Sequence, residues 1–439
     1  MQVTKSITVK VSKKINMNKF LSLRNFFNTY QTIARLYYSY ILENSLEEKL
    51  VSGEMTATDL KNTLHQKLYK QIRETFNIGS QTVQEIRDTV VGVINSYAQL
   101  VKKSKKVSLP KVEEFTVRLN YPRVVSVFEH GKEFDFFFKV KVNGDKRIAI
   151  PIECGEMQKQ LLKDALSGKY KIGAFQLVKR DGWFYFVIPI KKEVKIKQSY
   201  DGVVGVDLGL RYNAVITLIY KNGKITKVEF LKYRKLMHKI RELWFRIDEL
   251  KSMLPKGQRT SKRIQRLWKK IRRINDWIAH NVSKRIVEIA KENNCMIAME
   301  NLKRLYPVKG KNSRKNNRMI SNWVRGKVVK YTIYKARWEG MRVKLVNPKN
   351  TSRICHLCGA EGFRKDAIFI CRHCGHTYNA DFNASVNIGI RATLPNAKGC
   401  VNHPVGLITL QSHLSKTGGS LHVMKSYKRF GRSSLDQIS

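Results

Sequence analysis

Residues 3–12, VTKSITVKVS, alternate apolar and polar positions with period two and predict a strand. From about Asn18 to Lys103 the period lengthens to that of a helix, as in LRNFFNTYQTIARLYYSYILEN and TVQEIRDTVVGVINSYAQLVKK. The aromatics of these runs are read as core between packed helices. Strand patterns return between about Val107 and Val194 in FTVRLN, DFFFKVKV, KRIAIPIE, AFQLVKR and WFYFVIPI, with NGD and RDGW as turns. The order predicts a small β-barrel or curled sheet with a helical block inserted after its first strand.

A second unit begins near Tyr200. Three strand-like runs, 202–207, 213–220 and 224–230, precede a helical stretch from about Tyr233 to Asn293, expected as two helices broken near MLPKGQ. Within it Ile264, Leu267, Trp268, Ile271, Ile274, Trp277, Ile278 and Val282 recur at threes and fours, the apolar face of a helix. NNCMIAMEN (293–301) predicts a short strand ending on Glu300. A helix over about 320–339, a strand MRVKLVN (341–347) and a helix ADFNASVNIGIRA (380–392) complete the pattern. From Leu394 onward periodicity is lost, and a disordered tail is expected.

Composition narrows the partners. The 439 residues are 42% hydrophobic and 27% charged, an ordinary globular balance, but 84 Lys+Arg stand against 34 Asp+Glu for a net charge of +50. Such a field points to a polyanion, nucleic acid before an anionic membrane. No window holds 18 uninterrupted apolar residues, and the N-terminal stretch lacks the apolar core of a signal peptide. A cytoplasmic protein with no membrane partner is expected. Residues 231–275 hold 16 Lys+Arg against Glu242, Asp248 and Glu249, and KRLYPVKGKNSRKNNR (303–318) holds seven cations and no acid. These two segments are the candidate phosphate-facing surfaces, through Arg263, Arg266, Lys270 and Arg273 in the first and Lys309, Lys311, Arg314, Lys315 and Arg318 in the second.

Against that charge, three acids sit at the ends of apolar elements. Asp207 closes the strand GVVGVD, Glu300 closes IAME, and Asp381 opens the last helix. The order strand–strand–strand–helix–strand–helix–strand–helix is that of a ribonuclease H-type domain, in which folding brings such acids together. Paired magnesium ions, hard cations that take oxygen ligands, need carboxylates on rigid elements, and Gly209 lets the backbone turn away from them.

The sequences CHLCG (355–359) and CRHCG (371–375) give C-x2-C, twelve residues, then C-x2-C, four thiols in two tight turns and the donor set of a tetrahedral structural zinc. All four positions are sulfur, which excludes an open catalytic zinc. His356, His373 and His376 are taken as nucleic-acid contacts before ligands, and Cys154, Cys295 and Cys400 as isolated, mostly buried thiols.

The motifs GVDLGL, IAMENL and NPKNTSRICHLCG…FICRHCGHTYNADFNASVNI resemble the TnpB family, transposon-encoded nucleases related to type V CRISPR effectors. The similarity is specific over about 200–392; the first 200 residues match in layout alone. The resemblance implies an RNA-guided DNA endonuclease whose non-coding guide RNA pairs with one strand of a double-stranded DNA target beside a short adjacent motif. Asp207, Glu300 and Asp381 would be its RuvC-like catalytic acids holding two magnesium ions, and Cys355, Cys358, Cys371 and Cys374 its zinc ligands. Many relatives have DRD where this chain has Asn379, Ala380 and Asp381, so this chain lacks the arginine that those relatives place beside the acid. The implied fold is α+β and multidomain: a ribonuclease H-like (RuvC) nuclease domain with a zinc-ribbon insertion, and a wedge β-barrel carrying a helical bundle. The boundaries expected are 1–17 and 105–199 for the wedge barrel, and 18–104 for the helical recognition domain. Those of the nuclease are 200–350 with a helical insert at 231–293, then 379–393 around a zinc ribbon at 351–378, leaving 394–439 as tail. A monomer is favoured. Two other readings remain open, a compact CRISPR effector and a guided DNA-binding regulator that no longer cuts.

Overall fold

The computed structural model describes residues 1–103, 107–110, 113–131, 133–301 and 324–393. The chain forms two compact units, Met1–Glu193 and Val194–Ser439. The expected loop at 303–318, with Lys309, Lys311, Arg314, Lys315 and Arg318, lies outside the described residues, as do the tail from 394 and Cys400.

In the first unit, β1 (Gln2–Val11) leads into α1 (Met17–Glu43), α2 (Leu46–Ser52), α3 (Ala57–Phe76) and α4 (Ser80–Lys103). The aromatics of α1 are core: Phe26, Tyr30 and Tyr37 are fully buried, alongside Val83, Ile86 and Val90 of α4. Then follow β2 (Val117–Leu119), β3 (Val125–Glu129), β4 (Phe136–Lys141), β5 (Arg147–Glu153), α5 (Glu156–Leu166), β6 (Lys171–Ile172), β7 (Phe175–Arg180) and β8 (Trp183–Glu193). These strands make one antiparallel sheet in the order β2-β7-β8-β1-β5-β4-β3, with β6 on β8. The first strand therefore sits mid-sheet although the four helices separate it from its neighbours. Helix α5 occupies a stretch where the hydrophobic pattern suggested strands alone; its buried stripe of Leu161, Leu162 and Ala165 is too short to set a helical period against flanking β runs.

The second unit opens with β9 (Gly202–Asp207), β10 (Ala214–Tyr220) and β11 (Ile225–Leu231), then α6 (Arg234–Ser252) and α7 (Lys262–Glu292). It continues through β12 (Cys295–Glu300), α8 (Arg325–Trp338), β13 (Val343–Val346), β14 (Gly362–Lys365), β15 (Ile368–Cys371), β16 (Thr377–Asn379) and α9 (Ala380–Thr393). Five strands form a mixed sheet in the order β11-β10-β9-β12-β13; β12 runs parallel to both β9 and β13, the other pairs are antiparallel. Strands β14, β15 and β16 form a separate small sheet.

Both faces of the five-stranded sheet are covered, which is why its strands read as continuous apolar runs. Val204, Val206, Ile216, Ile297 and Met299 pack toward Ile271, Ile278, Val282 and Ile286 of α7. Val203, Ile219 and Ala298 pack toward Val386, Ile388 and Ile390 of α9. Trp277, expected on the apolar stripe of α7, instead lies at its rim, 43% exposed and edge-on to Tyr233.

Candidate metal centres and basic face

Strand periodicity decides where the acids point. Side chains alternate faces along a strand, so Asp207 shares the face of Val203 and Gly205, and Glu300 that of Ala298. That is the face covered by α9, whose first turn carries Asp381. The parallel register pairs Met299 with Val206, so the next residue on each strand, Glu300 and Asp207, stand at the same height. Asp381 is 4% exposed, and Asn379 caps its helix by accepting hydrogen bonds from the backbone N–H groups of Asp381 (3.0 Å) and Phe382 (3.1 Å). The structure thus brings the three sequence-predicted acids to one end of the sheet.

The electrostatics record that meeting. Burial, then the charges of Glu300 and Asp381, push the Asp207 carboxyl up to about 8, against the opposing pull of Arg364 and of the Leu208 N–H. Burial also raises Glu300, opposed by a hydrogen bond from Thr351 Oγ1 (2.6 Å) and by the nearby charges of Arg325 and Arg391. Asp381 Oδ1 is held at 2.7 Å by Nη2 of Arg364. Among the described residues, the four cysteines form a group of candidate metal ligands whose ligand atoms all lie within 4.8 Å of one another. Like charges repel, and here two of the acids have taken up a hydroxyl and a guanidinium. A partly buried set of oxygen donors that repel one another when ionised fits hard divalent cations, which would relieve both the repulsion and the desolvation.

Arg364 was not foreseen from sequence. It comes from β14, whose pairing with β15 sets Arg364 opposite Phe369. The chain lacks the arginine of the DRD pattern at position 380 but supplies one to Asp381 from the cysteine module instead.

That module is built by two turns. Gly359 and Gly375 follow the cysteine pairs with φ of 76° and 68°, left-handed values that only glycine takes without strain. The Cys355 and Cys374 sulfurs are 3.8 Å apart, those of Cys358 and Cys371 3.4 Å, and the Cys374 N–H points at the Cys371 sulfur (3.4 Å). Four converging sulfurs with a backbone donor directed at one of them fit a tetrahedral zinc.

The histidines divide. His373 and His376 are exposed, whereas His356 is buried, with its backbone N–H and its Nδ1 each 2.9 Å from Asn383 Oδ1. Burial holds its ring at about 4, in the neutral form. His356 is therefore a structural residue and not the nucleic-acid contact expected, since a ring next to two ligands of the quartet faces the inside of the module. Cys295 is buried and Cys154 half-buried.

Arg263, Arg266, Lys270 and Arg273 are all exposed along one side of α7, and among the described residues they form no ion pair. No helix among the described residues is long and apolar enough to cross a membrane.

The family model described as Cas12f1-like, TNB domain, matches residues 326–388, the stretch from α8 through the cysteine module into α9. Over 250 residues the chain is 32% identical to a TnpB-like protein of Aquifex aeolicus, a match covering 52% of this chain and 80% of that one. It is 27% identical over 265 residues to the CRISPR-associated endodeoxyribonuclease Cas12f1 of Sulfoacidibacillus thermotolerans, covering 57% of this chain and 61% of that one. Its mixed α+β fold is similar to a chain in a cryo-EM structure of a Cas12f1–sgRNA–target DNA complex, with a TM-score of 0.63 and 16% identity over 88% of this chain and 99% of that one. Identity of this extent, spanning four-fifths of a curated relative, makes the chain a member of the TnpB family, kin to the Cas12f endonucleases.

Proposed function

We propose that this protein is a transposon-encoded, RNA-guided DNA endonuclease whose second unit is a ribonuclease H-like (RuvC-type) nuclease. Asp207, Glu300 and Asp381 are its catalytic acids and hold two magnesium ions; Cys355, Cys358, Cys371 and Cys374 hold one structural zinc. The observation that carries the reading is a half-buried Asp207 that feels the charges of Glu300 and Asp381 at one end of a sheet, in a chain of net charge +50. Three ionised acids gathered on a covered sheet face destabilise one another unless a proton or a cation neutralises them.

When bound, magnesium would activate the attacking water and stabilise the leaving oxygen of a phosphodiester. The chain's own residues prepare for that. Asp207, whose carboxyl is pushed up to about 8 by burial and by Glu300 and Asp381, would be the acid that gives up a proton when such an ion is bound. Thr351 fixes one oxygen of Glu300. Arg364 brings a cation to the edge of the acids, where a phosphate would arrive. Sequence would be read by pairing between guide RNA and DNA, while phosphate contacts from the exposed stripe of α7 and from the segment 303–318 hold the duplex.

In this reading residues 1–17 and 105–199 form a wedge barrel, 18–104 a recognition domain, and 351–378 the insertion that receives target nucleic acid between the nuclease segments 200–350 and 379–393. A compact CRISPR effector is the second reading, favoured by the identity to Cas12f1. The test is to isolate the protein from its native host, sequence its bound RNA and assay cleavage of matching double-stranded DNA. A bound non-coding RNA overlapping the gene's 3′ end, with magnesium-dependent cutting abolished in Asp207→Ala, is expected. RNA-free protein, or cutting undiminished by that substitution, would overturn the proposal; a CRISPR array beside the gene would select the second reading.

A further inference from the structure

Helix α9 carries a second pattern besides its apolar face. Asn383, Asn387 and Arg391 recur every four residues and so form one stripe. All three turn to the same stretch of chain, residues 347–356, which links β13 to the first zinc-ligand turn. Asn383 Nδ2 donates to the Ile354 carbonyl (2.8 Å), and Asn387 Nδ2 lies 2.9 Å from the Thr351 carbonyl and 2.7 Å from that of Ile354. Arg391 Nη1 donates to the carbonyls of Asn347 (2.8 Å) and Lys349 (2.6 Å). Asn383 is fully buried and Asn387 6% exposed.

Amides are costly to bury in a helix whose other inward residues are Val386, Ile388 and Ile390. They are held there because the linking stretch has carbonyls in need of donors and a conformation to be fixed. Asn350, at φ 63°, turns the chain within that stretch, and the next residue, Thr351, is 3% exposed. Its hydroxyl is 2.6 Å from Glu300 Oε1 and 3.1 Å from the Pro348 carbonyl; the shorter distance identifies Glu300 as the acceptor.

We infer that Thr351 is a positioning residue for Glu300, and that the polar stripe of α9 fastens Thr351 so that the root of the cysteine module and the acidic pocket move as one body. The inference rests on the proposed role of the three acids as a cation site and names what orients one of them. A ligating carboxylate whose outer oxygen is hydrogen-bonded loses fewer degrees of freedom when it binds an ion.

The experiment uses full-length, zinc-loaded protein and Mn²⁺ alone as probe, with free Mn²⁺ read by electron paramagnetic resonance. Thr351→Val keeps the shape and removes the donor; Thr351→Ser keeps the donor. We expect Thr351→Val to weaken Mn²⁺ binding about tenfold and Thr351→Ser to remain within about twofold of wild type, with zinc content and melting temperature unchanged in both. Wild-type affinity in Thr351→Val, or equal weakening in both variants, would overturn the inference. Asp207→Ala separates the two levels. If it abolishes the Mn²⁺ site while Thr351→Val does not weaken it, only the positioning role fails; if Mn²⁺ binding survives Asp207→Ala, the cation site and the inference fail together.

Discussion

The carbonyl oxygen of Ser385 lies where a β-carbon on Gly205 would have to be: the two would be 2.1 Å apart, with Gly389 N at 2.9 Å. Helix α9 therefore meets β9 backbone to backbone, and the Ser385 hydroxyl pairs with Thr217 on the neighbouring strand at 2.5 Å. Gly205→Ala must push α9 away and carry Asp381 with it. It should destabilise the second unit by about 3 kcal/mol and remove any cleavage activity, as denaturant melts and a cutting assay would read. Gly92→Ala, where nothing lies within 4 Å of the new methyl, should leave stability unchanged or slightly raised.

Asp207 makes metal-free stability depend on pH with an unusual sign. Its folded carboxyl ionises near 8 against 3.8 for an unperturbed one, so the folded chain holds a proton that the unfolded chain has released. Between those values stability falls as pH rises, because the unfolded state binds fewer protons. Asp207→Asn should be more stable than wild type by a margin that grows from about pH 4 to about pH 8, reaching on the order of a few kcal/mol, and is flat above. Denaturant unfolding of magnesium-free, zinc-loaded protein at about pH 4.5 and about pH 8.5 tests this; parallel pH dependence in the two proteins would contradict it.

Removal of zinc should unfold the cysteine module alone. The buried apolar residues there are Cys355, Phe369, Cys371 and Ala380, too few to hold three short strands without the metal. Hydrogen exchange after chelation, or in Cys371→Ser, is expected to accelerate across 355–379 while β9 and β10 keep their protection.

The exposed cations of α7 predict a salt effect. Replacing Arg263, Arg266, Lys270 and Arg273 with Gln should leave the melting temperature unchanged and weaken nucleic-acid binding. The slope of log affinity against log salt should flatten by about 0.7–0.9 for each phosphate that is no longer neutralised. An unchanged slope would show that this side of the helix faces solvent.

What could be read in advance was whatever a local period or a fixed spacing encodes. Continuous apolar runs gave β9, β10 and β12; the acids at the ends of β9 and β12 and at the start of α9 could be picked out because a charge at such a boundary stands out against its run. The two C-x2-C turns are close in sequence and needed no fold to be recognised. Arg364 was hidden because an arginine in a basic chain carries no local mark; only the hairpin register turns it toward Asp381. His356 misled for the opposite reason, since a polar ring between two ligands looks exposed until Asn383 is found beneath it. Thr351, Asn383 and Asn387 read as ordinary loop and helix polar residues, and their meaning lies wholly in which carbonyls and carboxyl they reach.

Asp381 and the cover of one sheet face arrive together, on the helix that follows all five strands in chain order. During translation, a nascent chain that has emerged only through β13 would hold Asp207 and Glu300 on a sheet face that α9 has yet to cover. The third carboxyl reaches them only as α9 docks and closes that surface. Ribosome-bound and prematurely terminated products would thereby lack the third carboxyl, so the step that covers this sheet face is also the step that completes the acid set proposed above.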